Sequence, residues 1–326
     1  MISLCATVFD EAETIGPWID GILAQTRPPD EIVICDAGST DGTIEVLREA
    51  ADGGRVRFEV MPGANISTGR NRAIELAEGE IVAVTDAGTV AEPDWLERLV
   101  EPLETDPEVG VAAGFYKPAG RNFFERVLAA VITPRRGDLE PDGFPPSSRS
   151  VAFRREWWRK VGGYPEWLDI CEDLVFDFAL EDAGAKFAFA PEAVVAWYPR
   201  PDIRAFFHQY RGYARGDGHA RLYPDRHALR YSGYAAGVLL AKASRGSWLA
   251  RVALAAGLAY HFKSSFARVL QERPFRGPLQ AAAALALVPV VVVTGDVAKM
   301  IGYAQGTADW LRAGGNEGMR SGAREL

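Results

Sequence analysis

Carboxylate side chains follow three of the apolar, strand-like segments in the first hundred residues. Each acid comes directly after its segment: Asp10 and Glu11 after Ile2–Phe9, Asp36 after Glu31–Cys35, and Asp86 at the end of Ile81–Thr85. Because parallel strands bring their carboxyl ends to one edge of a sheet, we expect these acids to face one ligand cleft. Carboxylates there can bind a divalent cation, and the cation can bind phosphate.

Two common phosphate-binding motifs do not occur in the sequence. A dinucleotide-binding fold carries a glycine-rich turn after its first strand, whereas this chain has Phe9-Asp10-Glu11-Ala12-Glu13 at that point. The Gly-Lys-Ser or Gly-Lys-Thr of a P-loop does not occur either. A bound phosphate would therefore be met through a divalent metal and selected basic residues.

The acidic positions need a framework, and the chain alternates strand-like and helix-like segments up to residue 103. Helices are predicted at Trp18–Gln25, Thr43–Ala51, Thr68–Ala77 and Trp95–Leu103, with a further strand at Arg55–Met61. Gly79 is the C-cap candidate for the third of these helices. Such units predict an α/β fold, a mostly parallel sheet flanked by helices. Residues 105–150 read as irregular. Later elements are predicted as strands at Val151–Phe153, Phe187–Ala190 and Ala193–Trp197 and helices at Leu174–Ala183 and Ile203–Tyr213.

Several short motifs occur in a fixed order along the first hundred residues. They are Thr7-Val8-Phe9-Asp10-Glu11, Asp36-Ala37-Gly38-Ser39-Thr40-Asp41-Gly42-Thr43, Gly69-Arg70-Asn71-Arg72-Ala73, Asp86-Ala87-Gly88 and Pro93-Asp94-Trp95-Leu96. The ordered set resembles the family 2 inverting glycosyltransferases, which have the GT-A fold. The resemblance covers roughly residues 1–215.

The resemblance implies a site for a UDP- or GDP-linked sugar. Thr7 and Glu11 would line the nucleotide pocket, and Asp36 would hydrogen-bond the base. Arg70 would lie near the diphosphate or the donor sugar. Asp86 falls at the first acid of the family's Asp-x-Asp metal motif.

The metal motif departs from the family pattern, because Gly88 replaces its second acid. A bound Mg²⁺ or Mn²⁺ would have one carboxylate ligand, Asp86. Diphosphate oxygens, water and a histidine such as His208 or His219 would complete the shell. We expect a divalent cofactor that is held weakly or needed only in part.

Glu172-Asp173 matches a Glu-Asp pair that opens a helix beside the family's acceptor pocket. In an inverting transfer a carboxylate deprotonates the acceptor hydroxyl, and the family pattern assigns this base to Asp173. The residues alone leave helix N-capping open. Gln209 keeps its place in the family's Gln-x-x-Arg-Trp motif, but Gly212 replaces the arginine, which favours single-sugar transfer. Arg211 could still reach the diphosphate.

Composition bounds the class of protein. The chain has 326 residues and 48% hydrophobic content, which is typical of a globular protein. Its net charge of −8 argues against binding to nucleic acid. Cys5, Cys35 and Cys171 lack zinc-site spacing. Cys5 and Cys35 lie in apolar runs, so we expect buried free thiols in a reducing compartment.

The C-terminal part is different in character, rich in Ala, Leu and Val after about residue 228. Gly277–Gly295 carries no charged side chain and is a borderline membrane span, and Trp248–Phe262 is a second candidate interrupted by Arg251. A soluble helical hairpin is the alternative. We divide the chain into a catalytic domain, 1–225, and a helical region, 226–326, with a disordered tail. It is expected to lie on the cytoplasmic face of a membrane, as a peripheral or integral protein.

The sequence therefore predicts an inverting glycosyltransferase acting on a glycan or lipid-linked acceptor in cell-surface glycan synthesis. Two alternatives remain. A nucleotidyltransferase also uses acidic strand ends and a metal, but would carry a glycine-rich basic phosphate loop near the N-terminus. A degenerate, non-catalytic sugar-nucleotide-binding scaffold is the other, suggested by Gly88.

Overall fold

The computed structural model describes residues 1–133 and 146–315, which form two compact units. The first, here the sheet unit, comprises Met1–Lys117 and Pro134–Tyr198; the second, the helical unit, comprises Pro118–Thr133 and Pro199–Leu326. These bounds differ from the predicted division after residue 225, because the helix at 203–220 belongs to the helical unit. The predicted tail and most of the predicted loop Arg135–Ser150 lie outside the described residues.

The sheet unit is built on one mixed, eight-stranded sheet. Its strands are β1 (Ile2–Val8), β2 (Glu31–Asp36), β3 (Val56–Val60), β4 (Ile81–Val84), β5 (Thr89–Ala91), β6 (Val109–Pro118), β7 (Val151–Arg154) and β8 (Lys186–Trp197). The strand order is β3-β2-β1-β4-β7-β6-β8-β5. Strands β1 to β4 pair in parallel, whereas β7 pairs antiparallel with β4 and β6, and β5 pairs antiparallel with β8.

Helices cover both faces of this sheet, as the predicted alternation requires. They are α1 (Ile15–Leu23), α2 (Thr43–Ala51), α3 (Ile66–Leu76), α4 (Trp95–Thr105), α6 (Arg155–Val161) and α7 (Glu172–Asp182). Adjacent residues of a strand point to opposite faces, so Leu4 joins one buried apolar cluster and Cys5 the other. The first cluster includes Trp95, and the second includes Phe176. Cys5, Cys35 and Cys171 are buried free thiols, as predicted for Cys5 and Cys35.

Three secondary-structure predictions were wrong. Residues 105–150 contain strand β6 and helix α5 (Phe123–Ile132). The glycines and alanines of β6 weaken the strand pattern, but Gly114 is needed because a Cβ there would lie 1.9 Å from Ser150 Oγ. The two strands predicted at 187–197 form the single strand β8, which continues through Pro191. The C-cap of α3 is Ala77, rather than Gly79.

The helical unit contains α5 and four later helices, α8 (Ile203–Ala220), α9 (Pro224–Ala243), α10 (Trp248–Glu272) and α11 (Gly277–Arg312). Helices α8 and α11 pack backbone to backbone, since a Cβ on Gly306 would lie 1.9 Å from the Arg215 carbonyl oxygen. Within the described ranges, α11 alone is long and apolar enough to cross a bilayer, a criterion of length and composition only. Helix α10, which contains the second predicted candidate, does not meet that criterion.

Candidate functional site

The loops after β1 and β2 are joined by hydrogen bonds at the carboxyl edge of the sheet. The Asp10 amide donates to Ser39 Oγ at 2.8 Å, and the Thr40 amide donates to the Asp10 carboxylate at 2.9 Å. The Glu11 amide donates to Thr43 Oγ1 at 2.8 Å. Asp10 itself has a left-handed backbone, with φ of 53°. The two acidic loops therefore form one structure, as the shared-edge prediction requires.

Asp36 is fully buried at the end of β2. One carboxylate oxygen accepts hydrogen bonds from the amides of Gly38 at 2.9 Å and Ser39 at 2.8 Å, and the other accepts from Ser39 Oγ at 2.6 Å. The carboxylate thus holds the turn that meets the β1 loop. Its predicted hydrogen bond to a nucleotide base stays a prediction.

Helix α3 lies unusually close to the end of β1. A Cβ placed on Gly69 would lie 2.2 Å from Thr7 Oγ1 and 3.7 Å from Cys35 Sγ. The lack of a side chain at Gly69 lets the helix pack closely against β1 and β2. The next residue, Arg70, is thereby brought to the carboxyl edge of the sheet.

Arg70 connects two of the predicted site acids. Its guanidinium, 3% exposed, donates to Glu172 at 2.6 Å and to Asp86 at 3.1 Å. Burial alone would lower the pKa of Arg70, but the carboxylates of Glu172 and Asp86 outweigh burial and raise it. The guanidinium also lies 5.3 Å from the centre of the Tyr164 ring. Arg70 is therefore a permanent cation inside the site.

Two asparagines of the matched α3 segment fix the chain that leads into α7. The Asn71 side chain accepts from the Tyr164 amide at 2.8 Å and donates to the Tyr164 carbonyl at 2.9 Å. Asn65 caps α3 at the Thr68 amide and donates to the Glu166 carbonyl at 2.7 Å. Neither was predicted as a site residue, because an asparagine bonded to a distant backbone leaves no local pattern.

Helix α7 begins at Glu172 and Asp173, which lie at its amino end. Glu172 is buried, and this burial raises its pKa against the lowering effect of Arg70. Asp173 is half-buried, and its carboxylate accepts from the adjacent Leu174 amide at 3.0 Å. The N-cap position is occupied by Cys171, which makes no side-chain cap bond, whereas Asp173 bonds an amide of the first turn of the helix.

Asp177, one helical turn after Asp173, is a site residue that sequence reasoning missed. Its side chain is buried, and Oδ2 has no hydrogen-bond partner in the described part of the chain. Burial raises its pKa well above the ordinary value, and Asp173 adds to the effect while Arg70 opposes it. The spacing of four residues was the available signal, because it places both carboxylates on one face of a helix.

Asp86 is the most accessible of the three linked groups, with a side chain that is 40% exposed. It offers an oxygen donor suited to a hard divalent cation. Among residues 1–133 and 146–315, no group of three or more His, Cys, Asp or Glu is arranged to hold a metal. Gly88 is exposed, and a Cβ built on it meets nothing within 4 Å. The residues present fit one metal ligand and not a complete site.

Gln209 and Arg211 lie on α8, in the helical unit. Gln209 donates to the Tyr213 hydroxyl at 2.9 Å, one turn along the same helix. The Arg211 carbonyl contacts α11, where a Cβ on Gly302 would lie 2.1 Å from it. Thr7, Glu11, Asp36, Arg70, Asp86, Glu172 and Asp173 all belong to the sheet unit. The contact of Gln209 and Arg211 with a diphosphate stays a prediction.

Comparisons with known proteins agree with this fold. The model of glycosyl transferase family 2 matches residues 3–161. The succinoglycan biosynthesis protein ExoA of Rhizobium meliloti is 31% identical over 220 residues, 64% of this chain and 66% of the relative. The glucosyl-dolichyl phosphate glucuronosyltransferase of Haloferax volcanii is 29% identical over 174 residues, 50% of this chain and 55% of the relative. The O-antigen chain rhamnosyltransferase RfbN of Salmonella typhimurium is 25% identical over 209 residues, 58% and 65% of the two chains.

The chain therefore spans just under two thirds, or less, of the length of these curated relatives, between 55% and 66%. Among solved structures, a mannosyltransferase from Pyrobaculum calidifontis, in complex with GDP-Man and Mn²⁺, superposes with a TM-score of 0.57. Its sequence is 22% identical, and the match covers 95% of this chain and 86% of that one. This similarity establishes a common fold, which confirms the predicted GT-A-like architecture.

Proposed function

We propose that this chain is a member of glycosyl transferase family 2, whose model matches residues 3–161, and that it transfers a sugar from a nucleoside-diphosphate donor to an acceptor hydroxyl. The transfer proceeds with inversion at the anomeric carbon. The observation that carries this proposal is the chain of contacts from Asp86 through Arg70 to Glu172. It links the strand edge to the first turn of α7, where Asp173 lies.

Asp173 acts as the general base. Its carboxylate takes the proton of the acceptor hydroxyl while the acceptor oxygen bonds to the anomeric carbon and the bond to the diphosphate oxygen breaks. The nucleoside diphosphate leaves. Asp173 lies in the first turn of α7, at the positive end of the helix dipole. Glu172 has a different role, since its carboxylate is already paired with Arg70.

The donor is bound at the joined loops of β1 and β2. Thr7 and Glu11 line the nucleotide pocket, and Asp36 contacts the base or acts through the Ser39 turn that it holds. Arg70 holds the Asp86 carboxylate in position near the diphosphate through their ion pair. The family motif on α8 assigns further diphosphate contacts to Gln209 and Arg211. The base is uracil or guanine; guanine is the base of the GDP-Man that is bound to the structural relative.

A divalent metal, Mg²⁺ or Mn²⁺, belongs to this proposal, since the structural relative was solved with Mn²⁺. Asp86 would hold it, with the remaining ligands from diphosphate and water. When bound, the metal neutralises charge on the departing diphosphate. With one protein carboxylate, its affinity for the free protein is weak and depends on the donor.

The acceptor is a glycan or lipid-linked saccharide of the cell surface, and the protein works at the cytoplasmic face of a membrane. The names of the relatives, which refer to succinoglycan, O-antigen and dolichyl phosphate, support such an acceptor. The apolar helix α11 supports membrane contact.

The test is release of nucleoside diphosphate from a panel of UDP- and GDP-linked sugars, with and without Mn²⁺. We expect slow hydrolysis of one donor, faster when Mn²⁺ is present. Thermal stabilisation by a donor without release, across candidate lipid-linked and glycan acceptors, would instead identify a binding or scaffold protein.

A further inference from the structure

Helices α9 and α10 form a hairpin within the helical unit. The half of the hairpin nearer its base contacts α11 through Arg230, Tyr231, Tyr234 and His261. Its base is packed, since His227 and Ser265 are buried and Arg268 donates to the Val131 carbonyl at 2.5 Å. Between residues 228 and 264, all of which the structure describes, Ala250 is the one buried residue. The distal part of the hairpin is therefore exposed around most of its circumference.

The turn of this hairpin concentrates exposed apolar side chains. We call residues 238–252 the hairpin tip. Five large apolar side chains there are exposed by 56% to 69%: Val238, Leu239, Trp248, Leu249 and Val252. Soluble monomers rarely expose contiguous apolar surface of this kind unless it binds something. Trp248 begins α10 at the turn itself, and tryptophan favours the boundary between headgroups and acyl chains.

The charge of the hairpin indicates which partner covers it. No Asp or Glu occurs between Asp225 and Glu272, although the whole chain has 44 acids among 326 residues and a net charge of −8. The same segment carries seven cations: Arg226, Arg230, Lys242, Arg245, Arg251, Lys263 and Arg268. Three of them, Lys242, Arg245 and Arg251, lie in the tip. Arg251 donates to the Ser244 carbonyl at 2.7 Å, which keeps its guanidinium at the turn.

Arg230 is paired with Asp296, whereas the three tip cations, Lys242, Arg245 and Arg251, are exposed. Exposed aliphatic and indole surface mixed with these cations matches an anionic lipid surface. A second copy of the hairpin is a poor occupant, because it would bring like charges together. We propose that the hairpin tip is a lipid-binding surface that inserts Trp248, Leu249 and Val252 into the headgroup boundary of an anionic bilayer. Lys242, Arg245 and Arg251 contact the lipid phosphates. This inference is separate from the proposed sugar transfer and from any spanning by α11.

The test uses the full chain with an environment-sensitive dye on Leu249→Cys, since Cys5, Cys35 and Cys171 are all buried. Vesicles of phosphatidylcholine are compared with vesicles that also contain phosphatidylglycerol. We expect a blue shift of the dye and protection from iodide with the anionic vesicles. A matched dye on Glu49→Cys, an exposed position on α2 of the sheet unit, should give a much smaller response. A dye at 249 that remains fully accessible to iodide would overturn the proposal.

Two sets of variants test the apolar and the cationic contributions to lipid binding separately, and they also test self-association as the alternative use of this surface. Trp248→Ser with Leu249→Ser should reduce vesicle co-sedimentation on the order of tenfold, and Lys242→Gln with Arg245→Gln and Arg251→Gln should remove the preference for anionic lipid. Donor hydrolysis without vesicles should be unchanged in both, so failure here is distinguishable from failure of the catalytic proposal. Unchanged co-sedimentation contradicts the proposal. So does a vesicle-free dimer that the tip variants abolish, which would assign the surface to self-association.

Discussion

The Arg70 guanidinium lies 2.6 Å from the Glu172 carboxylate, and both side chains are more than nine-tenths buried. The pair joins α3, under the sheet edge, to the first turn of α7, 102 residues later in the chain. Because Arg70 also donates to Asp86, one cation holds an acid from the loop after β4 and an acid from α7 in a fixed relation. The predictions below depend on that relation.

Removing the cation should destabilise the fold. Arg70→Met leaves Glu172 buried without its partner, and we expect a loss of about 3 to 5 kcal/mol in the free energy of unfolding. Adding Glu172→Gln should recover part of that loss, since the uncompensated charge is gone. Urea unfolding measures both. Arg72→Met, on the same helix but half-buried and paired with more accessible acids, is the matched control and should cost far less. Equal losses for Arg70 and Arg72 would argue against a special role for the buried pair.

The close approach of α3 to β1 makes a second prediction. Gly69→Ala places a Cβ against Thr7 Oγ1, and we expect destabilisation of about 1 to 3 kcal/mol. Gly21→Ala, in a helix where the new Cβ meets nothing within 4 Å, should instead be neutral or stabilising. Thermal unfolding of the two variants checks this, and a Gly69→Ala protein as stable as Gly21→Ala would show that the helix can move away at no cost.

Asp177 should make stability depend on pH. Its folded-state pKa is raised by burial and by Asp173, so the native protein keeps this proton at pH values where the unfolded chain, with the ordinary pKa of 3.8, has lost it. The unfolding free energy therefore falls as pH rises from 3.8 through the raised pKa. Asp177→Asn removes this contribution.

The measurement is urea unfolding of parent and Asp177→Asn at about pH 5 and about pH 8. The stability of the variant relative to the parent should be greater at the higher pH. Asp182→Asn, at the exposed end of the same helix, should follow the parent at both pH values. A parent and an Asp177→Asn protein with identical pH profiles would mean that the buried carboxyl is ionised in the native state.

Gly88 permits a gain-of-function test of metal binding. Because a Cβ there meets open space and its φ is not left-handed, Gly88→Asp should fold normally and add the second acid of the family motif. We expect Mn²⁺ binding in the presence of a nucleoside diphosphate to tighten on the order of tenfold. Electron paramagnetic resonance of free Mn²⁺ measures this, with Gly88→Asn as the uncharged control. Equal affinities for the Asp and Asn variants would mean that the metal does not lie beside Asp86.

The sequence was sufficient to predict the sheet edge, because each apolar strand ends at a turn with an acid and parallel strands share an edge. The positions of Asp36 and Asp86 at the ends of β2 and β4 agree with this expectation, whereas the role of Asp173 as the base stays a prediction from the family motifs. The pairing of Arg70 with Glu172 was not predictable, since nothing local in either segment specifies a contact 102 residues away. The same reason hid Asn71, whose partners lie on the segment before α7.

Other features were not predicted because they depend on how deeply a residue is buried and on which residues pack against it. The sequence did not predict that the Asp36 carboxylate is fully buried and holds a turn. Strand β6 looks irregular because it contains glycine, yet Gly114 is there to admit Ser150. In both places the role of the residue depends on contacts with neighbouring segments in the folded protein, which a single sequence does not encode.

The most direct measurement compares Asp173→Asn with Asp182→Asn for the rate of sugar transfer to an acceptor hydroxyl. The rate is followed as release of nucleoside diphosphate from an accepted sugar nucleotide in the presence of Mn²⁺. We predict that Asp173→Asn keeps donor binding, seen as an unchanged thermal shift, while its transfer rate falls at least about a hundredfold, because the acceptor hydroxyl loses its base. Asp182→Asn should behave as the parent. Transfer by Asp173→Asn at the parental rate, with donor binding intact, would contradict the assignment of the base and the mechanism built on it.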